Sequence, residues 1–392
     1  MTHLPRTADV IVVGGGIIGC ASAYFLSRAG LRPLLIERLP TLAGLATAQS
    51  MEAFRAQFVE PENVAMMRES IAFYERFAEE TGLPDYDIGL KQQGYLFLTT
   101  TEDGPERFAR RVADQHALGL ADVEYLAPDE VRRRFPFVTG EITAATYRAR
   151  DGWLSANEAA FGFASASHAV VAAGVTVTGF RRSGARVTGV DTDAGPVDAG
   201  TVVLAAGPYS RRLAGLLDID LPLTNLRRHR VTIGGHGLIP RDAPMTIDQD
   251  SGAHWRPESG GAALAWAQTH EQPQEPADHV RPNPNFPFEV LEGVSRLCRF
   301  WEDVAGSLKS SQVHLGAGQY TLTPDDRPII GAHDGFGGLF FNCGYGGHGV
   351  MAAPGGGRQL ADLVAGRLSD TDNPFSFRRL AALKDATHQR LL

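Results

Sequence analysis

The pattern of apolar and polar positions is clearest at the beginning of the chain. Residues 10–13 form a short apolar run that is rich in β-branched residues and bounded by glycine, which predicts a buried strand. Apolar residues between positions 21 and 26 follow with helical spacing, and Gly30 predicts the end of that helix. A second apolar run over residues 33–36 predicts another strand. The pattern therefore predicts one β-α-β unit over residues 8–38.

Three glycines occupy the turn between the first predicted strand and the helix. Gly14, Gly16 and Gly19 have the spacing G-x-G-x-x-G, and Glu37 ends the second strand, 18 residues after Gly19. Such glycines allow a tight turn and a close approach of backbone to a pyrophosphate, to which the helix N-terminus adds partial positive charge. An acid at this position accepts hydrogen bonds from a ribose and disfavours a 2′-phosphate. The unit therefore predicts a dinucleotide site for FAD or NAD rather than NADP.

A second glycine-rich stretch, residues 342–358, contains another G-x-G-x-x-G over residues 344–349. A strand-like run precedes it and a helix-like run over residues 358–368 follows, but no further strand ending in an acid comes after. A second nucleotide site is therefore not predicted. One interpretation is a flexible loop. We favour a helix N-terminus whose free N–H groups face an electron-rich atom, the C2 carbonyl of a flavin.

The composition of the chain argues against several kinds of partner and of site. The chain has 392 residues, enough for two cores, and a net charge of −8 without a basic run, which disfavours nucleic acid and anionic membranes as partners. The three cysteines form no C-x-x-C pair, so neither a disulfide framework nor a metal site is expected. No apolar segment is long enough to cross a bilayer, and a strand-like run begins by residue 9, which leaves no space for a signal peptide. We therefore expect a cytoplasmic protein without membrane insertion.

Motifs along the rest of the chain carry a family resemblance. QYTLTPDDRPIIG (319–331) is similar to Y-x-x-T-P-D-x-x-P-I-I-G, and GYGGHGVMAAPGGGRQLADLVAGR (344–367) is similar to G-x-x-G-H-G-x-x-x-A-P-x-x-G-x-x-x-A-x-L. VVLAAGPYS (202–210), GYLFL (94–98) and FRAQF (54–58) add weaker matches. Together these motifs resemble the D-amino-acid oxidase and sarcosine oxidase family of FAD-dependent amine oxidoreductases. In order, they cover nearly the whole chain.

The resemblance implies an α/β fold with two interleaved parts. One is a discontinuous Rossmann-type FAD-binding domain, and the other is an α+β substrate domain built on an antiparallel sheet. The FAD-binding domain would comprise residues 1–86, 150–214 and 321–392, the last including a C-terminal tail. The substrate domain would comprise residues 87–149 and 215–320. Within it, residues 271–288 are Pro-rich and polar and predict a surface excursion.

The resemblance also implies which residues contact FAD. Most belong to the first β-α-β unit, to the segment after it, and to the second glycine-rich stretch. They are Gly14, Gly16, Ile17, Ile18 and Gly19 at the pyrophosphate; Glu37 and Arg38 at the ribose and adenine; Ala48, Gln49 and Ser50 along the phosphates; Ala206 and Gly207 beneath the cofactor; and Gly346, Gly347, His348, Gly349, Val350 and Met351 at the pyrimidine end of the flavin.

Three residues are candidates for the catalytic site: Tyr320, Arg55 and His348. Arg55 would lie close to the flavin, and a plain surface arginine is the alternative. Members of the family often have an arginine at the position of Tyr320, and some have a lysine at that of Met351, where these cations clamp a carboxylate. Without these two clamps, sarcosine and glycine should be poor substrates. A larger amine, held by apolar contacts and by Tyr320, Arg55 or Arg256, should be better.

A predicted strand over residues 263–270 lacks the lysine that oxidases of this family keep near the flavin. Four polar residues lie on or near it, and an exposed position on the sheet is the expected alternative for any one of them. They are His254, Arg256, Gln268 and His270.

The resemblance predicts non-covalent FAD. Some sarcosine oxidases bind FAD through a cysteine at the position that Gly318 occupies here. Others use a histidine in the segment after the first β-α-β unit, and residues 43–58 contain none.

The activity implied is oxidation of a C–N bond in an amine or amino-acid-like substrate, by hydride transfer to flavin N5, giving an imine. The protein would fix the reacting carbon while the cofactor supplies the redox chemistry. A 2-hydroxy-acid or alcohol dehydrogenase on the same fold is one alternative, and a flavin-binding subunit of a larger dehydrogenase complex is another. The sequence leaves open whether O2 or another compound accepts the electrons, and it leaves the oligomeric state open.

Overall fold

The computed structural model describes residues 4–267 and 271–383. Gln268 and His270, considered above beside a predicted strand, lie outside the described residues. Within the described ranges, no helix combines the length and the apolar character that crossing a bilayer requires.

The strands of the described residues are, in chain order, β1 (Thr7–Val13), β2 (Pro33–Glu37), β3 (Ala53–Phe54), β4 (Tyr95–Thr99), β5 (Glu124–Leu126), β6 (Ala144–Arg148), β7 (Gly152–Trp153), β8 (Val170–Ala173), β9 (Val177–Ser183), β10 (Arg186–Thr192), β11 (Val197–Leu204), β12 (Thr224–Ile233), β13 (Met245–Asp248), β14 (Ala253–Glu258), β15 (Gly261–Trp266), β16 (Pro273–Gln274), β17 (Val313–Leu322), β18 (Ile329–Ala332) and β19 (Leu339–Cys343). The α-helices are α1 (Ile17–Arg28), α2 (Pro61–Glu75), α3 (Phe77–Thr81), α4 (Gly104–Ala117), α5 (Pro128–Arg134), α6 (Ala156–Ala166), α7 (Ser210–Ala214), α8 (Phe286–Ser295), α9 (Phe300–Ser307) and α10 (Gly349–Val364).

The first sheet has the strand order β18-β19-β11-β1-β2-β8, and β9 and β10 extend it from β11. The pairs from β19 to β8 are parallel, whereas β18 is antiparallel to β19. Val10, Ile11 and Val12 are completely buried, as expected for a parallel strand that is covered on both faces. The predicted β-α-β unit is therefore confirmed. The carboxyl ends of its strands meet at one edge, where open α/β sheets bind ligands.

The second sheet has the strand order β16-β12-β15-β14-β13-β4-β6-β5, with β17 also paired to β12. Its pairs are antiparallel except for β13 with β4. Helices α8 and α9 help to cover it through buried residues such as Val290 and Trp301. The strands of this sheet come from residues 95–148 and 224–322, between the segments that build the first sheet. The predicted fold class is thus confirmed, and the limits of the two domains stay predictions.

Helix α10 differs from the prediction. A helix was expected over residues 358–368, but it begins at Gly349 and ends at Val364. Pro354 and three consecutive glycines lie inside it, and these residues disfavour a helix in isolation.

Packing against neighbouring helices explains the three glycines. A Cβ atom on Gly357 would lie 3.0 Å from the backbone of Ala21 in α1, and one on Gly355 would lie 2.8 Å from Met66 in α2. The ring hydroxyl of Tyr345 occupies the corresponding space beside Gly356. Because these contacts leave no room for side chains, residues 355–357 bring helices together rather than exposing backbone to a ligand.

Candidate active site

One large cavity, of about 1230 Å³, extends from the turn after β1 to the face of the second sheet. The turn contributes Gly14 and Gly16, and the sheet contributes Tyr95 and Met245. Most of the residues that the family resemblance implies line this one cavity. They are Gly14, Gly16, Ile17, Ile18, Glu37, Arg38, Ser50, Arg55, Ala206, Gly207, Tyr320, Gly346, Gly347, His348, Gly349, Val350 and Met351.

Three residues from the same set do not line it: Gly19, Ala48 and Gln49. Gly19 lies against the carbonyl group of Gly14, where a side chain could not fit. Gln49 fills the space beside Gly318, where a Cβ atom would come within 2.8 Å of the Cβ of Gln49. Gly19 and Gln49 therefore pack behind the residues that line the cavity and help to set its shape.

The turn between β1 and α1 suits a pyrophosphate. Gly14 has φ +113°, a conformation that favours glycine, and a Cβ atom there would lie 2.5 Å from the carbonyl oxygen of Ala205. Helix α1 begins at Ile17, and its N-cap residue Gly16 has no side chain with which to cap it. The Ile17 N–H donates to Thr47 Oγ1 at 3.1 Å. Because Gly16, Ile17 and Ile18 also line the cavity, the helix N-terminus opens into it, as that of an anion-binding helix does.

Glu37 has two roles in the structure. Its carboxylate accepts hydrogen bonds from the Gly15 N–H at 2.7 Å and from the Leu39 N–H at 2.8 Å, which holds the turn in shape. A carboxylate can accept about four hydrogen bonds, so capacity remains for a ribose. The sequence predicted only the ribose role.

Arg38 pairs with Asp278, a residue of the Pro-rich excursion over 271–288. The Tyr209 hydroxyl donates to the same carboxylate, and the Arg38 guanidinium lies 4.3 Å from the centre of the Tyr209 ring. The hydrogen bond from Arg38 lowers the pKa of Asp278 to about 2. The excursion therefore reaches across to the end of the cavity that is predicted to hold adenosine.

The second glycine-rich stretch ends in a helix N-terminus. Gly344 and Gly346 have φ +77° and +54°, and α10 begins at Gly349 without a side-chain cap from His348. Residues 344–351 line the cavity. The predicted helix N-terminus is therefore present, and it faces the same space as the N-terminus of α1.

Arg55 is buried in the wall of the cavity, at 8% exposure, so the surface alternative is wrong. Its Nη1 donates to the Gln57 carbonyl oxygen, and its guanidinium lies 3.8 Å from the centre of the Phe58 ring. Burial lowers the pKa of Arg55. Across residues 4–267 and 271–383, no carboxylate lies within ion-pair distance of it.

His348 lies beside this arginine, and Tyr320 lies beside another, Arg228. The His348 ring lies edge-on to Phe58 at 5.1 Å, and burial together with the charge of Arg55 lowers its pKa to about 3. Burial raises the pKa of Tyr320, although the guanidinium of Arg228, 5.3 Å from its ring, acts in the opposite direction. A Cβ atom on Gly347 would lie 2.7 Å from the Tyr320 ring.

The sheet-side wall contains residues that the sequence reasoning missed. Tyr95, Phe97, Met245 and Ile247 line the cavity from β4 and β13. Tyr95 and Phe97 are two positions apart, so they share one face of their strand. The alternation in GYLFL could have signalled this face.

His254 and Arg256 are not exposed residues of the sheet. His254 lines the cavity, and burial lowers its pKa. Arg256 is 2% exposed and lies outside the lining, where its Nη2 donates to Glu52 Oε2 at 2.9 Å and its Nε donates to the Met51 carbonyl oxygen. Arg256 therefore holds the turn at Glu52, which has φ +59°. It is not placed to bind a substrate directly.

Comparison with known proteins identifies the family of this chain. Residues 9–363 match the family described as FAD dependent oxidoreductase, DAO. The chain therefore belongs to the DAO family of FAD-dependent oxidoreductases, an enzyme family whose cofactor is FAD.

The sequence identity to individual relatives is below 30%. The chain is 29% identical to FAD-dependent oxidoreductase domain-containing protein 1 of Xenopus laevis, over 96% of this chain and 83% of that protein. It is 28% identical to sarcosine oxidase subunit beta of Arthrobacter sp, over 95% and 91%. The crystal structure of L-proline dehydrogenase from P. horikoshii is similar in fold, with a TM-score of 0.85 at 24% identity, over 97% of this chain and 99% of that one.

The residues present fit FAD. The turn at Gly14 and the N-terminus of α1 suit its pyrophosphate, Glu37 suits its ribose, and the N-terminus of α10 suits the electron-rich edge of its ring. When bound, the flavin supplies the acceptor for two electrons.

Proposed function

We propose that this protein oxidises a C–N bond of an amino-acid-like amine, with the carboxylate of the substrate bound by Arg55. One observation carries this proposal. The guanidinium of Arg55 is buried in the wall of the cavity that also contains the FAD site, and it has no ion-pair partner in the described residues. The names of relatives such as sarcosine oxidase subunit beta support the same substrate class.

The position of Arg55 changes the expectation about substrate clamps. A buried cation is costly unless a partner compensates its charge, and a guanidinium binds a carboxylate through two parallel hydrogen bonds. Tyr320 and Met351 cannot form such a pair, but Arg55 can. We therefore assign the carboxylate clamp to Arg55, on the segment after the first β-α-β unit.

The charges at this end of the cavity favour a neutral amine. Arg55 is cationic, and the carboxylate of Glu52 already accepts from Arg256. Nearby positive charge lowers the pKa of a bound ammonium group, which releases the nitrogen lone pair that the oxidation needs.

The reaction balances as follows. The carbon beside the nitrogen gives a hydride to the flavin, and the nitrogen proton is released, so that an imine forms. Water then adds to the imine and breaks the C–N bond, giving a carbonyl compound and an amine. When bound, FAD would take up the two electrons that the substrate loses, and O2 or another oxidant would accept them in turn.

To test this proposal, the holoenzyme is mixed anaerobically with N-methyl amino acids, cyclic amino acids, D-amino acids and 2-hydroxy acids. The measured quantity is the loss of the absorption of the oxidised flavin. Arg55→Met should weaken binding of the reactive amino acid by roughly tenfold to a hundredfold, which corresponds to a lost hydrogen bond to a charged group. Arg211→Met, at an exposed arginine that pairs with Asp220, is the control.

Bleaching by hydroxy acids and by no amine would contradict the proposal and favour the dehydrogenase alternative. Bleaching by no compound, in a chain that holds FAD, would favour the subunit alternative.

A further inference from the structure

Two arginines flank one aromatic ring in the wall of the cavity. The guanidinium carbon of Arg55 lies 5.5 Å from the centre of the Phe97 ring, and that of Arg111 lies 5.3 Å from it. Arg55 comes from the segment at β3, whereas Arg111 comes from α4. No sequence motif marks Arg111 as a site residue.

Arg111, like Arg55, has a lowered pKa and no ion-pair partner in the described residues. Burial, followed by the positive charge of Arg55, lowers the pKa of Arg111 to about 10. Glu60 acts on both arginines, but from beyond ion-pair distance. In the part of the chain that the structure describes, no carboxylate forms an ion pair with Arg111. This region therefore holds a buried cation, Arg55, and a partly buried one, Arg111, and neither forms an ion pair with a carboxylate of the described residues.

Arg111 acts on the cavity through Gln249. Its Nη1 donates to Gln249 Oε1 at 3.2 Å, and Gln249 lines the cavity whereas Arg111 does not. An arginine can only donate, so the amide oxygen of Gln249 must face it and the amide NH2 group is left to donate elsewhere. Arg111 is thus a positioning residue that fixes an amide donor at the cavity wall.

The surroundings of this donor are apolar apart from the cations. Phe97, Met245 and Ile247 line the cavity beside Gln249 and Arg55. A carbon chain would fit against these side chains, with an electron-rich group at each end.

We propose that the substrate is an amino dicarboxylate: Arg55 binds the carboxylate next to the reacting amine, and Gln249, oriented by Arg111, binds the distal one. This inference rests on the proposed function and adds the substrate class. The oxidised bond and the fate of the electrons are those given above. A dianion compensates both cations, which a substrate with one carboxylate cannot do.

The first experiment measures binding without turnover. The holoenzyme is titrated with glutarate and, separately, with butyrate, and binding is read from the change in the flavin absorption spectrum. Wild-type protein should bind glutarate at least tenfold more tightly. In Arg111→Met and Gln249→Leu this preference should fall roughly tenfold or more, since a hydrogen bond to a charged group is lost. Arg111→Lys should restore part of it.

Arg110→Met is the matched control, because Arg110 neighbours Arg111 on α4 but is exposed and pairs with Glu106. It should keep the wild-type preference. Equal binding of glutarate and butyrate by the wild-type protein would overturn the inference. A preference that survives in Arg111→Met and Gln249→Leu would overturn it as well.

The second experiment compares anaerobic flavin reduction by N-methylglutamate and N-methylnorvaline, which differ in the distal carboxylate. Faster reduction by N-methylglutamate at equal concentration supports the inference, and faster reduction by N-methylnorvaline overturns it. Failure of the proposed function has a different signature: glutarate binds preferentially, yet no amine reduces the flavin.

Discussion

The hydroxyl of Tyr74 in α2 donates a hydrogen bond to the carbonyl oxygen of Val350 in α10, 2.6 Å away. Pro354, four residues farther along α10, has no N–H that could donate to this carbonyl within the helix. Tyr74 therefore supplies the donor that the proline lacks. Ser70 plays a related part, because its Oγ accepts from the Gly355 N–H at 3.0 Å. Two side chains of α2 thus stabilise the interrupted turn of the helix whose N-terminus faces the cavity.

Tyr74→Phe should lower the free energy of unfolding by about 1–3 kcal/mol, because the buried carbonyl of Val350 loses its partner. Denaturant unfolding of the apo-protein measures this loss. Tyr86→Phe is the control, since the Tyr86 hydroxyl bonds to Glu158 in an exposed setting and should cost less than half as much. Equal losses in the two variants would show that the Val350 bond has no special weight.

Gly357→Ala should destabilise the protein by about 1–3 kcal/mol, although alanine is the better helix former. The added methyl group would press against the backbone of Ala21 and force α1 and α10 apart. Gly306→Ala in α9, where no atom lies within 4 Å of an added Cβ, should stabilise by about 0.5–1 kcal/mol. Thermal unfolding of both variants checks the contrast, and a stabilising Gly357→Ala would contradict the close packing of the two helices.

Glu37→Ala should weaken FAD binding by roughly tenfold to a hundredfold and also destabilise the apo-protein. The second effect follows because the N–H groups of Gly15 and Leu39 lose their acceptor. FAD retention during dialysis measures the first effect, and denaturant unfolding without FAD measures the second. Glu37→Gln keeps one acceptor oxygen and should have a smaller effect on both. Wild-type values of both quantities in Glu37→Ala would mean that the carboxylate has neither role.

Acid precipitation of the holoenzyme should release all the FAD into the supernatant. Gly318 has no thiol, and Gln49 fills the space beside it. The same precipitation of a covalent flavoprotein is the control, in which the colour stays with the pellet. Yellow pellets from the wild-type chain would contradict non-covalent binding.

Stability should fall as the pH drops from about 6.5 to about 4. Burial lowers the pKa of His229 to about 4, and its Nε2 accepts from the Asn283 N–H at 2.9 Å. In that pH range the unfolded chain binds a proton at this histidine that the folded protein excludes, so the free energy of unfolding decreases by at most about 1.4 kcal/mol per pH unit.

Denaturant unfolding at a series of pH values checks this slope. His229→Gln should make the slope shallower without abolishing it, because the pKa values of His348 and His254 are also lowered. His168→Gln, at an exposed histidine, should leave the slope unchanged. An unaltered slope in His229→Gln would assign the acid sensitivity to other groups.

The parts of the molecule that could be predicted from the sequence depend on local patterns. The strand, turn and helix around Gly14 follow from residues within one β-α-β unit, and so does the position of Glu37. The second role of Glu37 could not be predicted, because it depends on how the turn folds back onto the carboxylate. The start of α10 was missed since Pro354 and its glycines oppose a helix, and the compensation comes from Tyr74, far away in the sequence.

The candidate site divides in the same way. Motif positions placed Arg55, Tyr320 and His348 near the cofactor, and the structure brings all three to one cavity. That Arg55 is buried without a carboxylate partner among the described residues could not be predicted, because it depends on which side chains fold around it. The pairing of Arg111 with Gln249 joins α4 to the end of β13, and no local pattern marks it.

The order of strands in the first sheet has a consequence for synthesis of the chain on the ribosome. Strand β19 pairs with Val202–Leu204 of β11, so that edge stays unpaired until residue 343 has been made. At 5–20 residues per second, roughly 7–28 s separate the synthesis of the end of β11 from that of the end of β19. During this interval the growing chain presents a bare apolar strand edge, which is a hazard for aggregation. Slower translation or a shortage of chaperones should therefore reduce the yield of folded protein. This loss occurs during synthesis, before the FAD site is complete.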